Sequence, residues 1–464
     1  MEHCTNGFIE HYPANVGILA MELYVPLVYV DQNELEEYDL EEAFKLGEPT
    51  WKKGKYTQGL GQNMMSFVTD LEDVCSLALT VTHRLLHYNN IGPRQIGRLD
   101  VGTESNIDKS KSVKSVLMQL FNENTCLEGV DCVNACFGGT QALFNAINWI
   151  ESSAWNGRNA LVVMADIASY GTKAARPTGG AGAIALLVGP NAPLVFDRGL
   201  RAVYMAHCYD FYKPDPLSEY PTVDGPASIR CYFRALSNCY QLYRKLYEQN
   251  VTNGASKSDV LNSVSGVVCH TPFCRQVQKS FALLYRLERV ISQSGSIVSD
   301  IQLESMINSD PSFWKIALCE SNPEFESKTA SSLCIARDAG NIYTPSVYAA
   351  LVSYLISDCD HAVNVGNRIV LFSYGSGSAS AMFSLVIKEN GLSRLLDSLC
   401  RVKQMMKSRI KKSPVEYVDA IEARKLIYGK AGWTPQGSLD DIAPETYYVE
   451  SVDEVFRRKY KIKK

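Results

Sequence analysis

The sequence contains no apolar run close to the roughly 18 to 20 residues that a membrane-spanning helix needs. Its longest apolar segments, such as Ala160–Val163 and Ala183–Val188, have the length of strands. The N-terminus, Met1-Glu2-His3-Cys4, lacks a basic segment followed by an apolar one, and it lacks the Arg-rich, acid-poor character of a transit peptide. We therefore expect a cytoplasmic protein that does not span a membrane.

The sequence also lacks a strong excess of charge of one sign. Its 46 Lys and Arg residues nearly balance 50 Asp and Glu residues, which gives a formal net charge of −4. General nucleic-acid binders concentrate Lys and Arg to neutralise phosphates, so this balance argues against that class. The hydrophobic fraction of 46% and the charged fraction of 21% are typical of compact domains. A chain of 464 residues is expected to form two or three domain-sized units.

Paired cysteine motifs are missing as well. The 14 cysteines are scattered, and several, including Cys239 and Cys400, occur within apolar patterns. Reduced, buried cysteines behave in this way in a reducing compartment. Cys126, Cys132 and Cys136 form a cluster without the paired C-x₂-C spacing of a structural zinc site. We therefore predict no metal site from the sequence.

The first half of the sequence alternates between helical and strand patterns. Apolar residues at helical intervals predict a helix over residues 70–88, and Thr69 and Glu72 have the spacing of a capping box. Three apolar, partly β-branched runs predict strands at Arg98–Thr103, Asn159–Ala165 and Ala183–Val188. This alternation predicts the α/β fold class, with a mainly parallel or mixed sheet.

Two Gly-rich segments indicate an internal repeat. Gly179–Ala183 leads into the predicted strand Ile184–Val188, and Gly375–Ala379 leads into Met382–Ile387 nearly two hundred positions later. The spacing is compatible with two related α/β halves that face each other across a shared site. A short Gly/Ser match also arises by chance, so the repeat needs support from other features.

The region between and after these segments is predicted more coarsely. Residues 230–262 and 275–307 have helical patterns on either side of a short apolar strand. The polar stretches Glu248–Lys257 and Ser321–Thr329 are expected to be exposed loops. The tail Leu439–Lys464, acidic at its start and basic at its end, is interpreted as a solvated terminus in preference to a binding element.

The segment Gly129–Glu151 is the strongest candidate for chemistry. A short strand leads into Cys136, the pair Gly138-Gly139 permits a sharp turn, and an amphipathic helix follows. The sulfur would then lie at a helix N-terminus, where unpaired N–H groups and the helix dipole favour the thiolate and lower the thiol pKa. The two glycines would also let a reacting carbonyl approach the backbone. A nucleophilic cysteine explains this pattern, and a buried cysteine at the end of a strand explains it too.

Several long segments, in the same order, resemble the motifs of the eukaryotic 3-hydroxy-3-methylglutaryl-CoA synthases, condensing enzymes of the thiolase superfamily. The resemblance covers most of the chain, from about residue 10 to about residue 460. The segments are Gly102–Ser112, Gly129–Glu151, Ala175–Ala183, Tyr209–Asp215, His270–Cys274 and Phe372–Gly377. Each is weak alone, and together they are specific.

The resemblance implies a thiolase-like fold, with two related α/β halves in a layered αβαβα arrangement that carries inserted helices and loops. The N-terminal half, residues 1–190, would carry Glu104 and Cys136. The C-terminal half, residues 191–464, would carry His270, Asn341 and Ser376, together with helical insertions and the C-terminal tail.

The resemblance also implies a reaction, in which acetyl-CoA, acetoacetyl-CoA and water give 3-hydroxy-3-methylglutaryl-CoA and free CoA in the mevalonate route to isoprenoids and sterols. Cys136 would carry the acetyl group, Glu104 would be the general acid/base, and His270 would orient the acetoacetyl substrate. A thiolate exchanges with a thioester at little thermodynamic cost, and a partly desolvated carboxylate accepts a proton near pH 7. Backbone N–H groups at Cys136 and Ser376 would complete an oxyanion hole.

Further roles are implied only by the resemblance. The implied substrate-binding residues are Asn341, Ser376, Asp166, Tyr170, Phe211 and Tyr343. The implied CoA-binding residues are Thr178, Ser228, Arg275 and Lys279. Arg275 and Lys279 are four positions apart and would share a helix face toward the CoA phosphates. A homodimer, no permanently bound cofactor, and no nucleic-acid or membrane partner complete the expectations.

Alternatives to these roles stay open at this level. Without the resemblance, Glu104 is equally well explained as a surface carboxylate paired with a lysine, and His270 as a hydrogen-bonded core residue. Phe137 stands where many relatives have Tyr, and Arg275 replaces the more usual Lys, so altered rates or affinity are expected at most. Another thiolase-like condensing enzyme and an inactive CoA-binding scaffold are the competing functions.

Overall fold

The computed structural model describes residues 13–252, 259–308, 311–357 and 363–464. The strands are β1 Gly17–Tyr24, β2 Val28–Asp31, β3 Met64–Ser66, β4 Ile96–Thr103, β5 Asp131–Val133, β6 Asn159–Ala168, β7 Gly180–Gly189, β8 Leu194–Phe196, β9 Ala202–Met205, β10 Phe211–Tyr212, β11 Thr222–Val223, β12 Gly266–Cys269, β13 Arg368–Gly375, β14 Ala379–Ile387, β15 Ile410–Lys412, β16 Tyr447–Val452 and β17 Arg458–Ile462. The α-helices are α1 Gln32–Leu46, α2 Val74–Tyr88, α3 Val113–Leu117, α4 Gly138–Ile150, α5 Gly225–Asn250, α6 Val260–Ser263, α7 Cys274–Ser294, α8 Asp300–Ile307, α9 Pro311–Lys328, α10 Cys334–Ala339, α11 Ser346–Leu355, α12 Leu392–Lys407 and α13 Pro414–Ile427.

Ten strands of the described residues form one mixed sheet. Its order is β12-β13-β14-β8-β1-β7-β6-β4-β5, and β9 pairs with β14 outside this path. At one end β4 is parallel to β5 and β6, and β6 is antiparallel to β7. At the other end β12 is parallel to β13, and β13 is antiparallel to β14. The two ends therefore repeat one arrangement. The Gly-rich segment Gly179–Ala183 forms the start of β7, and Gly375–Ala379 forms the turn that leads into β14.

The helices α4 and α11 are buried between the two ends of this sheet. The largest apolar core joins them to residues of β1, β6, β7, β13 and β14. Every residue of α11 is buried, as expected of a helix that is apolar on all sides. The Thr140 hydroxyl of α4 lies 3.0 Å from the Tyr348 hydroxyl of α11 and donates to Ser373 Oγ of β13 at 2.7 Å. The central helices thus bind both halves together.

Two further cores cover the outer faces of the sheet. One packs α2 against β4, β6 and β7. The other packs α5 and α7 against β12, β13 and β14. The layers therefore run helix, sheet, helix, sheet, helix, which is the α/β arrangement predicted above. Across the described ranges, no helix has both the length and the apolar character that crossing a bilayer requires.

The three predicted strands are confirmed, since they lie within β4, β6 and β7. The predicted helix over residues 70–88 begins later, at Val74, because Asp73 is its N-cap and forms the capping box with Ser76. Glu72 accepts a hydrogen bond from the Tyr24 hydroxyl at 2.6 Å, and Thr69 Oγ1 accepts from the Leu71 N–H. The capping box assigned to Thr69 and Glu72 was wrong, because Thr69 makes a local contact in the preceding turn and Glu72 a tertiary contact with Tyr24.

The helical region of the second half also differs from its prediction. The segment 230–262 is α5, which begins at Gly225 and ends at Asn250, and the short helix α6. The segment 275–307 divides into α7 and α8, because Gly295 adopts a left-handed conformation with φ 67° and ends α7. Residues 253–257 of the expected loop Glu248–Lys257 lie outside the described residues, and its first three residues belong to α5 instead.

The expected loop Ser321–Thr329 was wrong, because almost all of it belongs to α9. Three of its positions are buried despite the polar sequence, namely Ser321, Phe325 and Thr329. The Phe325 ring packs edge-on against Phe281 of α7, with ring centroids 5.9 Å apart. Packing on one face therefore outweighs the polar composition.

The C-terminal tail is folded onto the molecule, so the expectation of a solvated terminus was wrong. Strands β16 and β17 form a hairpin that packs on α2. The Arg84 guanidinium of α2 donates to Pro444 O at 2.8 Å and to Thr446 Oγ1 at 3.0 Å. The Tyr460 hydroxyl donates to the Asp73 carboxylate at 2.9 Å. These contacts satisfy buried polar groups of α2, which explains why the tail is ordered.

Candidate functional site

Cys136 lies in the turn between β5 and α4, and its backbone is left-handed with φ 51°. A non-glycine residue in this region stores strain of order 1 kcal/mol, which the surrounding structure must hold in place. The end of β13 provides that support, because a Cβ on Gly375 would overlap Ala135 O and approach Phe137. Cys136 as a whole residue is partly exposed, but its sulfur is enclosed by the surrounding side chains.

The two glycines after the nucleophile have a structural reason. A Cβ on Gly138 would overlap the carbonyl oxygen of Cys132, and one on Gly139 would lie 2.6 Å from Met164 Sδ. A Cβ on Gly102 of β4 would meet Gly139 itself. The glycines therefore allow α4 to pack directly on β4 and β6, which fixes the position of Cys136. The sequence suggested that these glycines permit a sharp turn and the approach of a reacting carbonyl, and it did not indicate this close packing of helix on sheet.

Glu104 follows the last residue of β4 and is held by Asp166. The Glu104 N–H donates to Asp166 Oδ1 at 2.9 Å. Thr103 Oγ1 and Ser105 Oγ each donate to the same oxygen at 2.8 Å, and the Thr344 N–H donates to Oδ2 at 3.0 Å. Asp166 is fully buried. Its carboxylate, predicted to line the substrate pocket, is thus occupied by protein donors and positions Glu104.

Glu104 and Cys136 contact each other directly. The Cys136 N–H donates to Glu104 Oε2 at 2.5 Å. The second oxygen, Oε1, accepts no hydrogen bond and lies 3.4 Å from Lys213 Nζ. The side chain of Glu104 is only 5% exposed. The predicted base and nucleophile are therefore adjacent. Oε1 of Glu104 accepts no hydrogen bond and forms an ion pair with Lys213.

The pKa of Glu104 is raised to about 7, chiefly because burial penalises its charged form. Lys213 opposes this rise, Asp166 adds to it, and the hydrogen bond from the Cys136 N–H opposes it. A carboxyl with a pKa near the working pH both accepts and returns a proton readily. The environment of Glu104 therefore suits a general acid/base.

The pKa of the Cys136 thiol is raised well above its ordinary value. Close packing around the sulfur is the largest cause, and the charges of Glu104 and Asp166 follow. The expectation that the helix N-terminus would lower this pKa was wrong. The Cys136 N–H, which was expected to stabilise the thiolate, donates instead to Glu104 Oε2. In this structure the same N–H is therefore not free to donate to an oxyanion either. The resting nucleophile is a neutral thiol beside a carboxylate.

An aromatic wall surrounds the nucleophile. Tyr170, Tyr343 and Phe211 form a small apolar cluster with Cys136. The Tyr343 ring packs edge-on against Tyr170 at 6.4 Å and against Phe211 at 5.8 Å between ring centroids. Tyr343 has φ 54°, close to the value at Cys136, and it precedes α11 as Cys136 precedes α4. These three predicted substrate-binding residues therefore lie together at the site.

His270 follows β12, the counterpart of β4. Its N–H donates to Phe372 O at 2.7 Å, and its carbonyl accepts from the Tyr232 hydroxyl at 2.7 Å. The side chain is buried, which lowers the pKa of the imidazole to about 3. His270 is therefore a neutral imidazole, able to donate one hydrogen bond without carrying charge.

Asn341 and Ser376 both lie in irregular segments of the second part of the chain, Asn341 before α11 and Ser376 after β13. The Asn341 N–H donates to Gly179 O at 3.0 Å, and its side-chain oxygen accepts from the Tyr343 N–H at 3.0 Å. Ser376 lies between β13 and β14, and it lines a cleft of about 1600 Å³ together with Glu104 and Phe211. The structure thus places Ser376 on the cleft and Asn341 beside the aromatic wall.

The predicted CoA-binding residues lie elsewhere. Thr178 donates its hydroxyl to Ala175 O at 2.7 Å, and Ser228 is in the first turn of α5. Arg275 and Lys279 lie on the first two turns of α7, where Lys279 Nζ is 5.5 Å from the centroid of the Trp314 ring. None of these four residues lines the cleft that holds Glu104. That cleft has its own basic residues, among them Lys109, Lys111, Lys213, Arg457, Arg458 and Lys459.

Lys213 is a further candidate site residue that the sequence did not indicate. Its ammonium group pairs with Glu104 Oε1 and lies 5.0 Å from the centroid of the Tyr343 ring. The residue stands inside the segment Tyr209–Asp215, which carried the family resemblance. A lysine in a segment rich in aromatic residues was the available signal, but only the fold shows which carboxylate it faces.

Two family models together cover nearly all of the chain. The model described as "Hydroxymethylglutaryl-coenzyme A synthase N terminal" matches residues 12–193, and "Hydroxymethylglutaryl-coenzyme A synthase C terminal" matches residues 194–463. The chain belongs to the hydroxymethylglutaryl-CoA synthase family. The resemblance drawn from the sequence motifs is thereby confirmed.

Individual members of this family agree with the assignment. The chain is 45% identical to "Hydroxymethylglutaryl-CoA synthase, cytoplasmic" of Homo sapiens, over 97% of this chain and 87% of the human one. It is 46% identical to "Hydroxymethylglutaryl-CoA synthase 2" of Blattella germanica, over 97% of this chain and 99% of that one.

Solved structures confirm the thiolase-like fold class. "MvaS in complex with 3-hydroxy-3-methylglutaryl coenzyme A" superposes with a TM-score of 0.81 at 31% identity, covering 97% of this chain and 99% of that chain. "PksG, a HMG-CoA Synthase from Bacillus subtilis" has a TM-score of 0.76 at 21% identity, covering 97% and 100% of the two chains, and shows the fold alone.

Lys213→Met is expected to move the acid limb of the pH–rate profile to higher pH. Glu104 must be ionised to accept a proton, so the rate falls as pH drops through its pKa of about 7. The charge of Lys213 lowers that pKa, so its removal raises the pKa and reduces the rate at pH 7. Steady-state kcat measured across pH tests this. Lys213→Arg keeps the positive charge, so its acid limb should coincide with that of the wild-type protein. Coincident acid limbs for the wild type, Lys213→Met and Lys213→Arg would contradict the assignment of this limb to Glu104.

Alkylation of Cys136 by iodoacetamide should be slow at pH 7 and should keep accelerating above pH 9, because the thiol pKa is raised above 9.0. Glu104→Gln removes a negative charge that raises this pKa, so the variant should react faster at any one pH. Peptide mass spectrometry measures both rates. Exposed Cys126 is the internal control and should not respond to the substitution. A wild-type rate that already levels off below pH 7 would show a thiolate instead.

Proposed function

We propose that this chain condenses acetyl-CoA with acetoacetyl-CoA and water to give 3-hydroxy-3-methylglutaryl-CoA and free CoA, through an acetyl thioester on Cys136. Membership of the hydroxymethylglutaryl-CoA synthase family supports the reaction, and so does the relative whose printed title includes bound 3-hydroxy-3-methylglutaryl coenzyme A. The observation that carries the residue roles is the hydrogen bond from the Cys136 N–H to Glu104, whose pKa is about 7.

The first step is acetyl transfer. The sulfur of Cys136 attacks the thioester carbonyl of acetyl-CoA, the bond from that carbon to the CoA sulfur breaks, and the thiol proton leaves with the departing CoA sulfur. The exchange of one thioester for another is close to neutral in free energy, so the acetyl group stays reactive. The raised pKa of Cys136 makes its anion a strong nucleophile once the proton has moved.

The second step is carbon–carbon bond formation. Glu104 removes a proton from the methyl group of acetyl-Cys136, and the resulting carbon attacks the ketone of acetoacetyl-CoA. Neutral His270 donates a hydrogen bond to the ketone oxygen as it becomes an alkoxide. Glu104, now protonated, returns its proton to that oxygen. A base with a pKa of about 7 is ionised often enough to begin this cycle and acidic enough to finish it.

The last step is hydrolysis of the enzyme thioester. Water attacks the carbonyl on Cys136, and the bond from carbon to sulfur breaks to release the product and the thiol. Glu104, which borders the cleft, accepts a proton from the water and passes it to the departing sulfur, which restores the thiol of Cys136. Asn341, Ser376, Tyr170, Phe211 and Tyr343 position the acyl chains, while Asp166 positions Glu104. No permanently bound cofactor is needed for this sequence of steps.

Location and organisation are further parts of the proposal. We assign the enzyme to the cytoplasm, which the name of the human relative supports. We also assign it to the mevalonate route to isoprenoids and sterols, on the basis of the proposed product. We assign residues 1–190 and 191–464 to two related halves. The matching arrangements of β4, β6 and β7 and of β12, β13 and β14 support that division.

The decisive experiment for the reaction uses purified protein, acetyl-CoA and acetoacetyl-CoA, with the products identified by mass spectrometry. Formation of 3-hydroxy-3-methylglutaryl-CoA supports the proposal. A different condensation product would favour another thiolase-like enzyme, and no acyl product with retained CoA binding would favour an inactive scaffold.

Acetylation separates the roles of the two central residues. Radiolabelled acetyl-CoA should give an acid-stable protein adduct that is absent in Cys136→Ala. Glu104→Gln should still take up acetyl, because losing the neighbouring charge lowers the thiol pKa, but its condensation rate should fall about 100- to 10,000-fold for want of the base. Quantified label and product formation measure the two steps. Normal condensation by Glu104→Gln would remove Glu104 from the base role.

The CoA phosphates are proposed to bind at Arg275 and Lys279, with Thr178 and Ser228 nearby on the path of the cofactor. Arg275 is exposed and Lys279 half-exposed on one face of α7. Arg275→Ala and Lys279→Ala should each raise KM for acetyl-CoA roughly 10- to 100-fold, since a hydrogen bond to a charged group contributes about 1.5–3 kcal/mol. Lys459→Ala, in the basic cleft, is the matched control. A rise in KM with Lys459→Ala alone would place the phosphates in the cleft.

A homodimer is proposed, supported by the open edge of the sheet. Strand β5 is the last strand in the sheet order, and its neighbourhood exposes Val130 by 63% and Val133 by 65%. Sedimentation equilibrium should give twice the chain mass of 51.5 kDa. Val130→Asp should shift this toward the monomer, because burying an unpaired charge is costly. Val365→Asp, 57% exposed elsewhere, should not. A monomeric wild-type protein would contradict the proposal.

A further inference from the structure

Three metal-ligating side chains converge beside the Ser376 turn, outside the proposed reaction. Cys208, Asp210 and Cys231 offer ligand atoms that all lie within 4.8 Å of one another, the one such cluster found among the described residues. The two sulfur atoms are 3.7 Å apart, although 23 positions separate the cysteines in the chain. Cys208 Sγ lies 3.2 Å from Asp210 Oδ1. The spacing of these residues in the chain matches no metal-binding motif, so the sequence predicted no metal site here.

The distances match those between the ligands of a tetrahedral cation. Zinc binds thiolate sulfur at about 2.3 Å, so two sulfurs of a tetrahedral site are about 3.8 Å apart. With an oxygen ligand at about 2.0 Å, the sulfur-to-oxygen distance is about 3.5 Å. The observed 3.7 Å and 3.2 Å are close to these values, and the third pair, Cys231 and Asp210, lies within 4.8 Å. A disulfide would instead require the sulfurs to approach to about 2.05 Å.

The ligands are held by a second layer of hydrogen bonds. Asp210 is fully buried; its Oδ1 accepts from the Gly377 N–H at 2.9 Å and its Oδ2 from the Tyr374 hydroxyl at 3.0 Å. The Cys208 N–H donates to Gly377 O at 2.8 Å. Cys231 is fixed on the helix α5. Such bonds orient a ligating carboxylate before a cation arrives.

We propose that Cys208, Asp210 and Cys231 form a binding site for a thiophilic divalent cation such as Zn²⁺, with water at the fourth position. Both cysteines are partly exposed, which gives the cation access. Binding displaces the two thiol protons to solvent, and loss of the Cys208 proton frees a lone pair on Asp210 Oδ1 for the metal. The cation keeps its oxidation state of +2. The three proposed ligands do not include Cys136, Glu104 or His270.

Cobalt(II) is the probe for the test, with reduced, metal-free, full-length protein. One equivalent of Co²⁺ per chain should produce the near-ultraviolet thiolate-to-cobalt band and the visible bands of tetrahedral cobalt, and Zn²⁺ should displace it. Cys208→Ser and Cys231→Ser should each abolish the thiolate band or weaken Co²⁺ binding at least about 100-fold, more than the loss of a second-layer contact causes. Thermal melts of the metal-free variants check that each is folded, and two variants on different elements guard against the failure of one.

Matched controls identify the ligands. Cys126→Ser and Cys400→Ser remove exposed thiols elsewhere and should leave the bands unchanged, as should Cys136→Ser. Loss of the bands in Cys136→Ser, with retention in Cys208→Ser and Cys231→Ser, would overturn the proposal. An absence of tetrahedral cobalt bands would also overturn the proposal. This includes the outcome in which oxidised glutathione readily forms a disulfide between Cys208 and Cys231 while Co²⁺ does not bind.

Discussion

The buried carboxylate of Asp166 is the constraint on which the site depends. It accepts hydrogen bonds from Thr103, Glu104 and Ser105 at the end of β4, and from Thr344 before α11. These donors come from the two halves of the chain, so one side chain fixes the base of the first half against the aromatic wall of the second. A buried charge is tolerated only when its hydrogen bonds are satisfied, which is why so many donors converge on it.

This arrangement determines the electrostatics of the nucleophile. A helix N-terminus stabilises a nearby negative charge by about 0.3–1 kcal/mol in ordinary cases, whereas full burial shifts a pKa by as much as 3–5 units. At Cys136 the burial and the two neighbouring carboxyls outweigh the dipole, so the thiol pKa is raised. Lys213, 3.4 Å from Glu104, is the cation that limits the accumulation of negative charge. The result is a carboxyl that titrates near neutrality and a sulfur that keeps its proton until a thioester arrives.

The matching arrangement at the two ends of the sheet extends to the residues of the candidate site. Glu104 follows β4 and His270 follows β12, while Cys136 and Tyr343 occupy left-handed turns before α4 and α11, with φ 51° and 54°. Parts of this were predictable, because β-branched runs marked β4, β6 and β7, and Gly-rich segments marked the starts of β7 and β14. The start of α2, the helix α9 and the folded tail were not. In each case contacts distant in sequence, such as Tyr24 with Glu72 or Tyr460 with Asp73, override the local pattern.

The sequence by itself determined the family, the α/β class and the identities of Cys136, Glu104 and His270 as candidates, because motif order and strand patterns are local properties of the chain. Only the tertiary structure decided how those groups are charged, since a pKa depends on burial and on neighbours far away in sequence. It also decided that Lys213 faces Glu104, that Asp166 serves as a hydrogen-bond hub, and that Cys208 approaches Cys231. Each of these follows from strands and helices brought together by the packed core, which no spacing along the chain encodes.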